Sequence, residues 1–389
     1  MKYSPAGRFY ASKQSYILPA VLLSIGLAAS CPALAATVTI GFLGPADGDA
    51  IAGALQAIDD DNTTGKFVGQ NFILKDGRGA EPMTSLRAML GAGIRLVVAD
   101  LPAAQLLALA DLPEAKDVTF FNGRATEDSL RAGECRRNVL HTIPARAMYA
   151  DALVQYFLAK QWTDLFLVTG PDPADREFAA AIRHSIAKFR ARLVAEKPWT
   201  FAPGAKRSDS GHYAIGAQIA EFTQGVKYDV LIVADEANAF GDDFSYATTL
   251  PRPVAGTQGL FPAAWTATHE EWGATQLQHR VLRRSGAALS ERGYAAWLAV
   301  RAVGEAATRS NSADAGAIAA YMQGEGFALP GYKGEPLSFR PWDGQMRQAI
   351  LLADAHRVVA VSPQKGFLHP TTELDSLGYD KPETQCHAR

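Results

Sequence analysis

After residue 35 the chain has no apolar run approaching the ~20 residues that a membrane-spanning helix needs, and it has no basic tract. Lys and Arg number 38 against 40 Asp and Glu. Nucleic acid and anionic lipid are held by clustered positive charge, so a balanced, faintly acidic chain argues against both as partners. No low-complexity tract or short-period repeat occurs. Catalytic signatures are missing too: there is no Gly-x-Ser-x-Gly elbow, no Walker loop and no Gly-x-Gly-x-x-Gly after a strand. His269-Glu270-Glu271 lacks the second histidine at helical spacing that a zinc protease requires, and reads as a helix start. Asp59-Asp60-Asp61-Asn62 opens like a calcium loop, but no glycine follows at the sixth position and Gln70 stands where the bidentate Glu belongs. It reads as a solvated helix end. With no set of nucleophile, base and orienting group, the expectation is a protein that is not an enzyme and carries no cofactor or metal.

What is present begins with a leader. Lys2, Arg8 and Lys13 precede an apolar core from Ile17 to Ala29, and Ala33-Leu34-Ala35 has the small-x-small form of a signal-peptidase site. Residues 1–35 are expected to be a signal peptide and the product a secreted soluble protein. A second reading takes Leu27-Ala28-Ala29-Ser30-Cys31 as a lipoprotein box with Cys31 lipidated; Pro32 after the cysteine and the cleaner Ala33-x-Ala35 site favour cleavage. Taking the three leader cations from the 38 leaves 35 against 40 acidic residues, an excess of five negative charges. At 48% hydrophobic and 20% charged residues the remainder can bury a sizeable core, and its length suits two lobes. Cys135 and Cys386 remain after cleavage, and in an oxidising compartment such a pair more often bonds than stays as two thiols.

Strands and helices alternate along this remainder. Val118-Thr119-Phe120-Phe121 reads as a strand buried on both faces, ending at Asn122-Gly123. Ligands of open α/β sheets sit beyond the carboxyl ends of the strands, so Asn122, Gly123, Arg124, Ala125 and Thr126 form a candidate pocket wall. A cysteine-bearing helix and the run Val139–Ile143 follow, with Pro144 holding Ile143 extended. Strands at 37–43, 71–75 and 96–99, with helices between, make βαβ units of a first parallel sheet. The pattern restarts with a helix at 145–160, strands at 164–169, 193–200 and 229–234, and helices at 177–189 and 214–224. A run at 254–260 leads into helices at 268–284, 291–309 and 312–323, the last with Ser312 as N-cap. A crossing near Pro336–Phe339 precedes strands at 349–354 and 357–361. Three crossings make neither lobe contiguous and allow the lobes to rock about a cleft. The fold class is therefore α/β, two doubly wound parallel-sheet lobes joined by a three-strand hinge. The expected division is 36–141 plus 258–337 for lobe 1, 142–257 plus 338–373 for lobe 2, and 374–389 as a C-terminal tail. A Cys135 to Cys386 bridge would leave the lobes free to close only if that tail ran back along the hinge.

Several runs carry a resemblance. Leu140-His141-Thr142-Ile143-Pro144, the Asn122 to Thr126 loop, which matches a Ser-Pro-x-Ala-Thr pattern, and Gly256-Thr257-Gln258-Gly259, which matches Gly-Pro-Glu-Gly, resemble type I periplasmic binding proteins of the leucine/isoleucine/valine-binding family. Thr268–Leu277, Phe339–Gln345 and Leu374–Gly378 are similar to a subgroup whose genes accompany PQQ-dependent alcohol dehydrogenase systems. The resemblance implies a periplasmic receptor that works as a monomer, binds a small molecule and delivers it to an ABC permease in the inner membrane. It implies ligand contacts from Leu101, Pro102, Ala103, Asp175, Glu236 and Gln258 beside the Asn122 to Thr126 loop. In the family's amino-acid receptors serines and a Thr bind the carboxylate and a Glu takes the ammonium; here only Thr126 survives, with Leu101-Pro102-Ala103-Ala104 in the serine loop and Gln258 at the Glu position. Buried charge needs a paired charge, so an α-amino acid is not the expected ligand. Arg124 is a candidate clamp for an anion or an exposed loop arginine; Trp265, Trp272 and Trp297 read as packing rather than an aromatic site. A rival function on the same fold is a periplasmic sensor or scaffold that binds a protein partner and transports nothing.

Overall fold

The computed structural model describes residues 36–200 and 211–387, together with Gly7. The leader, with its cleavage site and Cys31, lies outside the described residues. Among the described residues no helix is long and apolar enough to cross a membrane.

The first sheet is built from β1 (Ala36–Leu43), α1 (Ala50–Val68), β2 (Gln70–Asp76), α2 (Pro82–Gly91), β3 (Leu96–Ala99), α3 (Ala103–Ala110), β4 (Thr119–Asn122) and β5 (Val139–His141). All strand pairs are parallel, in the order β2-β1-β3-β4-β5. Apolar residues cover both faces of β3, as helices packed on each side require. The direction of winding reverses between β1 and β3, where an open α/β sheet leaves a crevice at the carboxyl ends.

The second sheet repeats the plan with α4 (Arg146–Ala159), β6 (Asp164–Thr169), α5 (Pro173–Phe189), β7 (Arg192–Pro198), α6 (Gly211–Thr223), β8 (Val230–Ala234), the single turn α7 (Phe244–Ala247) and β9 (Val254–Gly256). Its order is β7-β6-β8-β9, again parallel. The chain continues through β10 (Phe261–Ala263), α8 (Ala274–Ser285), α9 (Glu291–Ser310), α10 (Ala315–Met322), β11 (Leu329–Pro330), β12 (Pro336–Phe339), β13 (Met346–Arg347), β14 (Ile350–Ala353) and β15 (Val358–Ser362). Strands β14 and β15 form an antiparallel sheet with β10.

Helix α9 is buried nearly all round and packs against α1 of the first sheet. The two helices touch backbone to backbone: a Cβ on Gly53 would stand 1.8 Å from the Gly293 carbonyl oxygen, so only glycine fits. Asp59, Asp60 and Asp61 lie within α1 rather than at a helix end; Asp61 is buried against α9, Asp60 is half-buried, and Asp59 stays exposed. They pair with Arg284, Arg280 and Arg301, and Asp61 is 2% exposed. Trp265 and Trp297 pack in the same core, stacked around Tyr294.

Three local expectations need correction. The segment carrying Cys135 is a 3-10 turn, Asp128–Arg131, followed by turns rather than a helix. The helix expected from Thr268 starts at Ala274, because Trp272 and Gly273 take left-handed conformations (φ 50° and 86°). Asp314, not Ser312, caps α10, its carboxylate accepting the Ala317 N–H at 2.8 Å.

Cys135 and Cys386 are bonded, with Cα atoms 5.6 Å apart. The tail reaches Cys135 by way of the crossings. Asp375 binds Arg340 (2.9 Å) and Arg347 (2.8 Å), the Gly378 N–H donates to Asp151 (2.7 Å), and the Thr384 hydroxyl donates to the Arg131 carbonyl (3.0 Å). The loop it closes spans 251 residues. Cys135→Ser is expected to lower unfolding free energy by ~2–4 kcal/mol; equal denaturant midpoints for variant and oxidised wild type would refute this.

Candidate functional site

A cleft of about 440 Å³ opens beyond the carboxyl ends of β4, β8 and β9, between the two parallel sheets. Its apolar wall is Phe178 of α5 with Phe261 and Pro262 of β10. Thr126, Asn238, Thr257 and Gln258 supply neutral polar groups, and Tyr149, Asp235, Glu236, Glu291 and the backbone of Gly256 complete the lining.

Thr126 is placed by a buried scaffold beneath it. The Asn122 side chain accepts the N–H groups of Arg124 (3.1 Å) and Ala125 (2.8 Å) and donates to the Ala125 carbonyl (2.7 Å). It also meets His141 Nδ1 at 3.0 Å. Asn thus folds the loop by local side-chain bonding. Arg131, buried below, donates to the carbonyls of Ala125 (2.8 Å), Glu127 (3.0 Å) and Ile143 (2.9 Å) and to Gln345 Oε1 (2.9 Å). Burial lowers its pKa to about 10, which leaves it charged at neutral pH.

The acidic groups of the cleft are already partnered. Glu236 holds Arg146 through two bonds of 2.7 Å, and Arg146 reaches Glu177 at 2.7 Å. Burial works against the Arg146 charge, but the hydrogen bond to Glu236 and the fields of both glutamates outweigh it and hold the pKa above its ordinary value. Asp235 accepts the N–H groups of Ala239, Phe240 and Gly241 at 2.7–2.9 Å. Glu291, at the first turn of α9, accepts the Tyr149 hydroxyl at 2.6 Å and the Ala264 N–H. Burial pushes the Glu291 carboxyl up, and burial with the adjacent carboxylate pushes the Tyr149 phenol well up. The arrangement suits binding of a molecule with an apolar body and an uncharged hydrogen-bonding head.

Of the residues singled out in the sequence, Thr126, Glu236 and Gln258 line the cleft. Gln258 Nε2 donates to Asn238 Oδ1 at 2.6 Å, leaving its own amide oxygen for another donor. Asn122, Gly123 and Ala125 are buried behind Thr126. Arg124 is half-buried in the field of Asp100, which burial keeps above the usual carboxylate range. Leu101 packs in the core, while Pro102 and Ala103 begin α3 away from the cleft. Asp175 is buried in the capping box of α5 and accepts the Glu236 N–H at 2.7 Å, so it positions Glu236 from behind. Tyr149, Phe178, Asn238, Phe261 and Glu291 were not foreseen. The carboxyl-end rule that picked out Asn122 applies equally to the turn after β8 and finds Asn238; nothing local marks the other four.

Residues 37–357 match the family described as periplasmic binding protein. Among curated proteins none matches the chain. A branched-chain amino acid ABC transporter periplasmic ligand-binding protein from Burkholderia xenovorans LB400 superposes with TM-score 0.70 at 16% identity, covering 90% of this chain and 99% of that one. An ABC transporter substrate-binding protein from Sphaerobacter thermophilus gives 0.66 at 15% identity, covering 88% and 100%. The Streptococcus pneumoniae branched-chain amino acid transporter substrate-binding protein LivJ, solved with isoleucine, gives 0.59 at 16% identity, covering 84% and 99%.

Because Asn122 satisfies four polar contacts, three of them buried, Asn122→Ala is expected to destabilise the protein by about 2–4 kcal/mol. Chemical denaturation checks this, and a loss below ~1 kcal/mol would show that the loop holds its shape without that side chain.

Proposed function

The chain belongs to the periplasmic binding protein family, and from that premise we propose that it is the substrate-binding component of an ABC importer. In this reading it is a monomer, secreted by cleavage after Ala35, that closes on one small organic molecule and hands it to an inner-membrane permease without chemical change. The moving bodies are residues 36–141 with 258–337 and residues 142–257 with 338–373. Ligand binding favours the closed arrangement because only that arrangement contacts the ligand from both sides.

The ligand proposed is not a plain α-amino acid. The observation that carries this is the prior engagement of the cleft carboxylates, Glu236 by Arg146 and Glu291 by Tyr149 and the Ala264 amide. An ammonium group would have to displace one of these partners, and a ligand carboxylate would have to compete with Glu236 and Glu177 for Arg146. A neutral head meets Thr126, Asn238 and Gln258 at no such cost, and Phe178, Phe261 and Pro262 receive an apolar body. The runs similar to the subgroup beside PQQ-dependent alcohol dehydrogenases point to an aromatic or aliphatic compound derived from an alcohol, and of its aldehyde and acid products the aldehyde has the neutral head this cleft suits, while the acid would meet the competition at Arg146.

Thermal-shift screening tests this. Leucine, isoleucine and valine are expected to leave Tm unchanged at millimolar concentration, whereas a matched compound at about 1,000 times its Kd stabilises by ~4 kcal/mol. A clear shift with leucine would overturn the ligand reading. Native mass spectrometry of protein taken from its own periplasm would then identify the occupant directly.

A further inference from the structure

Two ionisable side chains, Lys333 buried and Glu291 half-buried at the cleft, hold all three passages of the chain between the sheets. Lys333, between β11 and β12, donates to Gln348 Oε1 (2.9 Å) and to the Ala349 carbonyl (2.7 Å) just before β14, where the chain returns for the last time. Gln348 Nε2 donates in turn to the Thr142 carbonyl (2.8 Å), in the first passage between β5 and α4. Glu291 accepts the amide of Ala264, directly after β10 in the second passage, and the hydroxyl of Tyr149 from α4.

The surroundings of this pair are sparse in charge. Lys333 lies 5.1 Å from the centre of the Tyr294 ring, with His269 and Glu291 in its field, and makes no ion pair among the described residues. Glu291 is hydrogen-bonded to Tyr149 and lies in the field of Lys333, and Tyr149 in turn feels Arg131 and Glu236. Lys333 is fully enclosed, 3% exposed, whereas Glu291 forms part of the cleft wall.

We propose that Lys333 and Glu291 form a proton-linked latch on the hinge, which favours the closed cleft while Lys333 holds its proton and releases it when that proton is lost. The inference rests on the proposed closure of the lobes about these passages. Closing strips water from Glu291, and the charge on Lys333 offsets that loss; without it, the anion regains its solvation only by opening. Closure therefore retains a proton, and linkage makes it weaken as pH rises. Burial, opposed only by the Glu291 field, lowers the Lys333 pKa from 10.5 to about 7, which sets the window. Folding stability carries the opposite sign: the unfolded chain binds the proton up to 10.5, so this group adds stability as pH rises from about 7. Looser closure with firmer folding over one pH range is a combination that general loosening cannot produce.

The test uses the whole mature chain without added ligand, with nitroxides on Gln105→Cys and Ala180→Cys, two exposed positions on α3 and α5. Electron-electron distance distributions across pH 7 are expected to show short and long populations, with the long one growing several-fold as pH rises. Amide exchange at Ala264, corrected for intrinsic rate, should lose protection in parallel. Lys333→Met should keep the long population and Glu291→Gln the short one, each with a flat profile; if the lysine variant fails to fold, the glutamine variant carries the test. Two populations whose ratio ignores pH, or a wild-type midpoint preserved in either variant, would overturn the latch and leave lobe closure standing. A single narrow distance at every pH would overturn both.

Discussion

Peptide groups that leave a sheet and pass through the interior must find partners there, because no water reaches them. This chain makes such a passage at residues 142–145, 257–264 and 340–349, and the constraint shapes everything nearby. Gln345 answers it with one side chain, its amide donating to the carbonyls of His141 and Ile143 and its oxygen accepting from Arg131. Gln348 does the same for Thr142 and Lys333. Arg340 ties the last passage to the tail through Asp375 and the carbonyls of Leu374 and Leu377.

The cleft inherits its geometry from this buried network. Arg131 grips the underside of the Asn122 to Thr126 loop and the first passage with one guanidinium, so the lining residue Thr126 cannot move independently of the crossing. The disulfide and the Thr384 bond fasten the tail to the same segment. Removing one of several partners from such a network leaves others buried and unpaired, which makes it stiff.

Much of the fold was legible in the sequence because it is written locally. Continuous apolar runs such as Leu96–Ala99 and Val230–Ala234 specify buried parallel strands, and the helices between them place the sheets in the α/β class. The cysteine pair followed from compartment and count. Local reading failed where one residue's backbone overrode its neighbours, as at Trp272 and Gly273, and where Asp60 and Asp61, solvated by pattern, meet Arg280 and Arg301 from 220 and 240 positions away.

By itself the sequence determined the two sheets, their parallel sense, the turn that ends β4 and the carboxyl-edge position of the cleft. Only the tertiary structure decided what that site is made of. Arg146 meets Glu236 from 90 positions away and Tyr149 meets Glu291 from 142, distances in sequence over which no periodicity or motif speaks. Glu236 could be named from the sequence, but not that its charge was already taken. Charge compensation in a buried cleft is a property of which side chains face each other, and that is settled by the packing of elements, not by the order in which they are joined.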